Sequence, residues 1–206
     1  MRDLLKLDDL HLDLLKEIGN IGAGNATTSL SNLLSIPIQM SVPTVNVISF
    51  EEIIELTGGP DEVKATTFVE FEGEFTGNMF FFISPEQADQ FIQTLTQDAK
   101  QSILNEQNEL AFSAFLELGN ILTGSYLRAL SDFLQINLYS LVPEATVDMA
   151  GAIMTEGLIE TSVTSDYAII IETVFQSDFF NEDINGHFFL LPDPNAFDKI
   201  FSQLGV

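Results

Sequence analysis

The sequence predicts an α/β protein of the α+β type, made of two pseudo-symmetric helix-strand-helix-strand-strand-helix repeats that share one mainly antiparallel sheet. Two observations predict this fold. The helical segment at residues 13–25 (DLLKEIGNIGAGN) recurs at residues 113–125 (SAFLELGNILTGS), an offset of 100 residues without a gap. Each copy is followed by an extended stretch, a short helix and two strand-like stretches. We therefore expect residues 1–206 to form a single domain of two repeats, at about 9–100 and 104–206, with one shared core.

The first repeat opens with an amphipathic helix over residues 9–34, followed by extended chain over 36–49 and a short helix over 50–56. Strands are expected in KATTFVEFEG and FTGNMFFFIS, with the turn at residues 72–74. Ser84 as N-cap and Pro85 in the first turn predict a helix that runs to about residue 98.

The second repeat follows the same order. We expect a helix over about 104–134, extended chain over 136–149, a helix over 150–159, and strands near 166–175 and 187–192. The acidic stretch between these strands, QSDFFNEDING, predicts a longer hairpin loop than in the first repeat. Residues 191–194 (LPDP) predict the start of a last helix that ends near Gly205.

The net charge argues against two classes of partner. Seven basic residues against 31 acidic residues leave a net charge of −24, so a basic patch for nucleic acid is not expected, and an anionic membrane would repel the surface. No apolar run reaches the roughly 20 residues of a membrane span, and the N-terminus does not resemble a signal peptide. The absence of cysteine excludes disulfides and thiol catalysis and fits a cytoplasmic protein. The acidity either steers a partner with positive or metal-centred sites or only confers solubility.

Two other candidate sites are weak. The glycines of residues 19–24 (GNIGAG) do not follow a strand and lack the G-x-G-x-x-G spacing of a dinucleotide site, so we expect them to allow close helix packing. His11 and His187 lack carboxylates at ligand spacing, which argues against a zinc site, and no metal site is predicted. Sequence order does not test a Ser–His–Asp triad, but neither histidine recurs in both repeats. We expect both histidines at surface or hairpin positions.

The repeated helix carries a polar stripe. Asp13, Glu17 and Asn20 lie within roughly 60° of one another on the helix, while Leu14, Leu15, Ile18 and Ile21 are expected on the core side. The equivalent polar residues of the second copy are Ser113, Glu117 and Asn120.

Both copies place glycine and asparagine, two poor helix formers, side by side, which indicates a positional demand that is either structural or functional. If the demand is functional, the amide of the asparagine is a poor acid–base catalyst because it is neutral. It can, however, orient a water molecule, as a glutamine does in phosphoryl transfer. The carboxylate one turn earlier could then bind a cation on a partner. Such a stripe suits a protein that completes the active site of another protein.

The complete spacing resembles that of the CheC/CheX/FliY family of response-regulator phosphatases. The pattern D-x3-E-x2-N-x22-P occurs at Asp13, Glu17, Asn20 and Pro43, and S-x3-E-x2-N-x22-P at Ser113, Glu117, Asn120 and Pro143. The resemblance extends over essentially the whole chain and implies a CheC-like fold.

The resemblance implies dephosphorylation of phosphorylated CheY, the chemotaxis response regulator, in the cytoplasm. By the same resemblance, Asn20 or Asn120 would enter the regulator's acidic pocket and place a water in line with the aspartyl phosphate. Glu17 or Glu117 would pair with the regulator's active-site lysine. Mg²⁺ would belong to CheY, and no cofactor is expected on this chain. The remaining motif residues would support the site; they are Asp13, Ser113, Pro43 and Pro143.

A second partner is implied by the same resemblance. CheC-like proteins bind the receptor deamidase CheD, and the segment around Asp148 is the candidate contact. Two alternatives to a phosphatase stay open from the sequence. The first is a non-catalytic adaptor similar to the middle domain of the flagellar switch protein FliM, and the second is a regulator that chiefly sequesters CheD.

Overall fold

A computed structural model describes residues 9–161 and 167–193 together with Ala196 and Ile200. The helices are α1 (Asp9–Leu34), α2 (Phe50–Leu56), α3 (Pro85–Thr96), α4 (Glu109–Leu134) and α5 (Ala150–Thr161). The strands are β1 (Gln39–Ser41), β2 (Val45–Ser49), β3 (Val63–Gly73), β4 (Gly77–Ile83), β5 (Leu138–Ser140), β6 (Glu144–Met149), β7 (Tyr167–Gln176) and β8 (Ile184–Pro192). The last helix predicted from the sequence, up to Gly205, lies outside the described residues apart from two isolated positions.

The described strands form one eight-stranded sheet in the order β1-β7-β8-β4-β3-β5, with β2 also paired to β7 and β6 to β3. Each of these pairs is antiparallel, which confirms the predicted α+β class and the antiparallel sheet. The repeats exchange strands across this sheet. Strands β1 and β2 of the first repeat pair with β7 of the second, and β5 and β6 of the second pair with β3 of the first.

Helices cover both faces of the sheet. One core cluster includes Leu30 of α1, Phe91 of α3, Phe115 of α4 and Phe81 of β4. A smaller cluster on the opposite face includes residues of α2 and α5. Burial on both faces explains why β4 and β8 contain continuous apolar runs, FFFI and FFLL, instead of an alternating pattern. Each buried phenylalanine contributes roughly 1.5–3 kcal/mol through area removed from water.

Two predicted boundaries are displaced. Helix α4 begins at Glu109 and not near 104, because the side chain of Asn108 accepts a hydrogen bond from the backbone N–H of Ala111 (3.2 Å) and caps the helix. The preceding chain is held to α3 by the backbone N–H of Ile103, which donates to Asp89 Oδ1 (2.7 Å). Strand β8 begins three residues before the predicted position, because Ile184 still pairs with Phe175 of β7.

The start of α3 follows the prediction. Ser84 has extended backbone, and its hydroxyl accepts a hydrogen bond from the backbone N–H of Gln87 (3.2 Å). Pro85 occupies the first turn, where its missing N–H costs no hydrogen bond.

Candidate functional site

The two long helices α1 and α4 pack side by side on the same face of the sheet. Gly22 of α1 lies against Tyr126 of α4, and a Cβ added to this glycine would be 2.6 Å from Tyr126 Cδ1. The tyrosine is buried and its hydroxyl shares a hydrogen bond of 2.9 Å with Thr173 Oγ1 of β7. Burial raises the pKa of Tyr126, so its hydroxyl is neutral in the folded protein. The sequence interpretation of the glycines in residues 19–24 as helix-packing residues is confirmed for Gly22 but is wrong for Gly24, where an added Cβ would meet nothing within 4 Å.

The glycine that precedes each motif asparagine holds its helix close to the strands. A Cβ on Gly19 would be 3.3 Å from Val42 Cγ1, and a Cβ on Gly119 would be 2.5 Å from Thr67 Cγ2. Both glycines are buried. Because neighbouring helical residues are about 100° apart, a buried glycine at this position directs the next side chain outward. The glycine of each Gly–Asn pair therefore has a structural reason, which the asparagine lacks.

The motif side chains lie on the outer surface of α1 and α4. Glu17, Asn20, Glu117 and Asn120 are exposed. Within the described part of the chain, neither asparagine side chain is engaged in a hydrogen bond. Each amide can therefore offer an N–H donor and a carbonyl acceptor to a partner.

The supporting residues of the first copy lie together. Asp13 and Pro43 line one shallow groove of about 450 Å³, together with Lys16 of α1 and the chain that enters β2. Asp13 is exposed, as is Ser113 at the equivalent position of α4.

The chain before the two prolines differs between the copies. Val42 is 3% exposed and packs on Gly19, whereas Val142 is 84% exposed. Pro43 is exposed and Pro143 is half-buried. The two copies thus present the same Glu–Asn pair beside different surroundings.

Asn120 lines a second groove, of about 640 Å³, between α4 and α1. Its polar walls come from both helices, and the residues are Asn25, Thr28, Ser29, Asn120, Ile121, Gly124, Ser125, Arg128 and Asp132. The groove gives the amide of Asn120 a concave polar neighbourhood along the helix pair.

Three other residues singled out in the sequence lie elsewhere. Asp148 is exposed on β6, opposite Lys64 of β3 in the sheet register, and its carboxylate accepts a hydrogen bond from the backbone N–H of Met149 (2.7 Å). His11 is half-buried on α1, not at the expected surface or hairpin position. The expectation that His187 occupies a surface or hairpin position is wrong. It is half-buried within β8, between Phe82 of β4 and Glu172 of β7.

One core assignment is also wrong. Ile21 was expected on the apolar side of α1, but its side chain is 39% exposed beside Asn20, whereas Ile121 is half-buried and packs against the core. The helical period gives the direction of a side chain around the helix, but it does not show how much of the helix surface the neighbouring elements cover. Ile21 lies outside the covered part.

Among the described residues, no cluster of three or more His, Cys, Asp or Glu side chains could hold a metal ion. None of the described helices is long and apolar enough to cross a membrane.

Comparison with known proteins identifies similar sequences and folds. A model of the CheC-like family matches residues 10–47 and 111–147, the two stretches that contain the complete motifs. The chain is 40% identical over 196 residues to a Bacillus subtilis (strain 168) protein named CheY-P phosphatase CheC, covering 95% of this chain and 94% of the relative.

Three solved structures share the fold at low sequence identity. Thermotoga maritima FliY has a TM-score of 0.76 at 18% identity, with 96% of each chain covered. The FliM middle domain of H. pylori has a TM-score of 0.65 at 12% identity, covering 96% of this chain and 99% of that one. A Borrelia burgdorferi CheX–CheY–BeF₃–Mg²⁺ complex has a TM-score of 0.53 at 14% identity, covering 84% of this chain and 96% of that one.

Proposed function

Because this chain belongs to the CheC-like family, we propose that it is a phosphatase that accelerates hydrolysis of the aspartyl phosphate of the response regulator CheY. The observation that carries the proposal is the pair of exposed amides, Asn20 and Asn120, each beside an exposed glutamate one turn earlier on its helix. A relative at 40% identity is named a CheY-P phosphatase, and a protein of the same fold, CheX, forms a complex with CheY, BeF₃ and Mg²⁺.

In the proposed mechanism, the amide of Asn20 or Asn120 positions the attacking water. The amide oxygen accepts a hydrogen bond from the water and the amide N–H₂ donates one within the partner's pocket. The water oxygen attacks phosphorus in line with the aspartyl oxygen, the bond between phosphorus and that oxygen breaks, and the aspartate carboxylate and inorganic phosphate are released. The asparagine transfers no proton, so its contribution is orientation of the nucleophile.

Glu17 and Glu117 set the register of docking in this proposal. An exposed carboxylate three residues before the amide lies on the same helix face and can pair with a lysine at the regulator's active site. Mg²⁺ would be held by CheY and would neutralise the phosphoryl charge there, and no cofactor is proposed for this chain.

The remaining motif residues support the helices. Asp13 and Pro43 share one groove, so they can shape the surface beside the first site. Ser113 and Pro143 are the equivalents at the second site, where the exposed Val142 gives different surroundings. We expect the two sites to differ in strength for this reason.

The decisive experiment replaces both asparagines by alanine. Asn20→Ala/Asn120→Ala should abolish the accelerated loss of phosphate from CheY, measured as phosphate release, because no amide remains to orient the water. Asn32→Ala, at an exposed position near the end of α1, is the matched control and should leave the rate unchanged.

The double variant should also keep its far-ultraviolet circular dichroism and melting temperature, since both side chains are exposed. A double variant that dephosphorylates CheY at the wild-type rate would refute the mechanism. Wild-type protein that binds phosphorylated CheY without shortening its phosphate half-life would indicate the adaptor alternative.

A contact with the deamidase CheD is a separate proposal. The exposed Asp148 lies on β6, an outer strand of the sheet, with Met149 and Val63 exposed at the same end. Asp148→Arg should weaken binding of CheD in a pull-down while phosphate release from CheY is unchanged, and equal CheD binding by the variant would reject this contact. We further propose that the protein acts in the cytoplasm, where it would meet both proposed partners, and localisation of a fluorescent fusion would test this.

A further inference from the structure

The two long helices are identical at more positions than the Glu–Asn pair. Residues 9–34 and 109–134 align without a gap, and nine positions carry the same residue in both copies. In the numbering of the first copy they are Leu10, Glu17, Gly19, Asn20, Ile21, Gly24, Leu30, Ser31 and Leu34. The structure divides these positions into two groups.

Four of the nine have a structural reason. Gly19 and its equivalent lie against strands, and the leucines at 30 and 34 are buried in both copies. Ser31 and Ser131 both bind the chain that leaves the helix. The Ser31 hydroxyl accepts a hydrogen bond from the backbone N–H of Ile38 (3.0 Å), and the Ser131 hydroxyl donates to the backbone oxygen of Ile136.

The other five share one face. With about 100° per residue, positions 10, 17, 20, 21 and 24 lie within about 100° around the helix and extend over about 21 Å along it. In α1 all five are exposed, whereas in α4 Ile121 and Gly124 are half-buried and Ile121 also packs against the core. Glu17 and Asn20 belong to the proposed reaction, and the other three positions of this face are Leu10, Ile21 and Gly24.

The two apolar residues are exposed on either side of the motif. Leu10 is 51% exposed and Leu110 is 55% exposed, two turns before the glutamate. Ile21 is 39% exposed directly after the asparagine. On a chain with a net charge of −24, the same apolar residues at the same places on both helices fit the uncharged central part of a protein–protein contact.

The glycine is unexplained by packing. A Cβ on Gly24 or Gly124 would meet nothing within 4 Å, unlike a Cβ on Gly22 or Gly119. Glycine in the middle of a helix costs about 1 kcal/mol relative to alanine, so an open position should favour alanine. Both copies nevertheless carry glycine, which fits a position where a partner protein must approach the helix backbone closely. Gly124 also lines the groove that contains Asn120 and Ile121.

We propose that Leu10, Ile21 and Gly24, with Leu110, Ile121 and Gly124 in the second copy, are docking residues for CheY. This inference rests on the proposed function. The leucine and the isoleucine contact apolar side chains around the regulator's active site, while the bare glycine lets a loop of the regulator approach the helix backbone. These contacts align the amide with the phosphorus and determine which surface the helices recognise.

The test separates docking from folding. In Gly24→Leu/Gly124→Leu, the added side chains should raise KM for phosphorylated CheY at least tenfold, with kcat within about twofold of wild type. The melting temperature should be unchanged or higher, because leucine is a better helix former than glycine and has open space. The smaller change, Gly24→Ala/Gly124→Ala, should give a smaller rise in KM.

The apolar contacts are tested in parallel. Ile21→Ser/Ile121→Ser and Leu10→Ser/Leu110→Ser should each raise KM severalfold. Leu56→Ser is the matched control, because Leu56 is 47% exposed but lies on α2 at the other face of the sheet. This control should leave KM unchanged. An unchanged KM in the glycine-to-leucine variant, or a lowered melting temperature that accompanies its rise in KM, would overturn the inference.

A direct measurement of binding distinguishes failure of this inference from failure of the phosphatase proposal. Calorimetry with CheY that carries beryllofluoride and Mg²⁺ should show tight binding to wild type and weak binding to the same variants. If wild type binds this CheY but does not shorten the half-life of the phosphate, the phosphatase proposal fails, while loss of binding in the variants still supports docking. If wild type does not bind it, or the variants bind equally well, the docking inference is wrong.

Discussion

At the scale of single residues, the candidate site depends on uncharged amides on a strongly acidic chain. Asn20 and Asn120 can approach a phosphoryl group without the repulsion that a carboxylate would meet at the same position. The carboxylates of Glu17 and Glu117 lie one turn back on the same face, where they can contact a cation at the rim of the partner's pocket. In the proposed mechanism, the order of the two residues along the helix therefore separates orientation of water from recognition of charge.

The burial of His187 leads to a prediction about how the stability of the protein depends on pH. Burial lowers the pKa of this histidine from 6.5, Lys64 lowers it further, and the nearby Glu172 opposes part of the shift. Below pH 6.5 the unfolded chain binds a proton that the folded protein resists, so stability should fall as the pH decreases from 6.5 towards the folded-state pKa. His187→Gln should remove this component and flatten the dependence of the urea midpoint on pH in that range.

The His187→Gln variant must be compared with the wild-type protein at the same pH values, because carboxylates also titrate as the pH falls. His11→Gln, on α1, is the matched control. Equal slopes for wild type and His187→Gln below pH 6.5 would contradict the assignment.

At the scale of the elements, close contact between helix and sheet positions the motif. Gly119→Ala should destabilise the protein by about 1–3 kcal/mol, because the new methyl group would overlap Thr67 of β3. Gly124→Ala on the same helix adds its methyl group to open space and should be neutral or stabilising by about 0.5–1 kcal/mol. Urea unfolding of the two variants measures the difference, and equal stability of both would show that α4 can move away from β3 without cost.

At the scale of the whole molecule, strand exchange joins the two repeats. We propose that they form a single domain, since β1 and β2 pair with β7 whereas β5 and β6 pair with β3. A fragment of residues 1–103 would leave β3 without its second-repeat partners and α1 without the face of α4 that carries Tyr126.

Neither residues 1–103 nor residues 104–206 should therefore unfold cooperatively when expressed alone. Thermal unfolding followed by circular dichroism tests this, with the intact chain as reference. A cooperative transition in either fragment would contradict the single domain and indicate that the repeats are independent units.

Much of this architecture was predictable because the two repeats of the chain can be aligned with each other. The repeat at an offset of 100 residues indicated which polar residues of α1 and α4 to consider together, and the helical period placed Glu17 and Asn20 on one face. Ile21 was misplaced because an angle around the helix does not reveal how far the neighbouring core extends. His187 was misplaced because the start of β8 depends on its pairing with β7, which local sequence does not encode.

The sequence by itself determined the duplicated helices, the antiparallel class and the residue types of the motif, because periodicity and spacing are properties of local chain geometry. Only the tertiary structure decided that the repeats exchange strands and that Val42 is buried where Val142 is exposed. It also decided that Gly19, Gly22 and Gly119 are packing residues while Gly24 and Gly124 are open. These distinctions depend on atoms from segments far apart in the chain, and a glycine in the sequence looks the same whether a strand, a helix or solvent lies beside it.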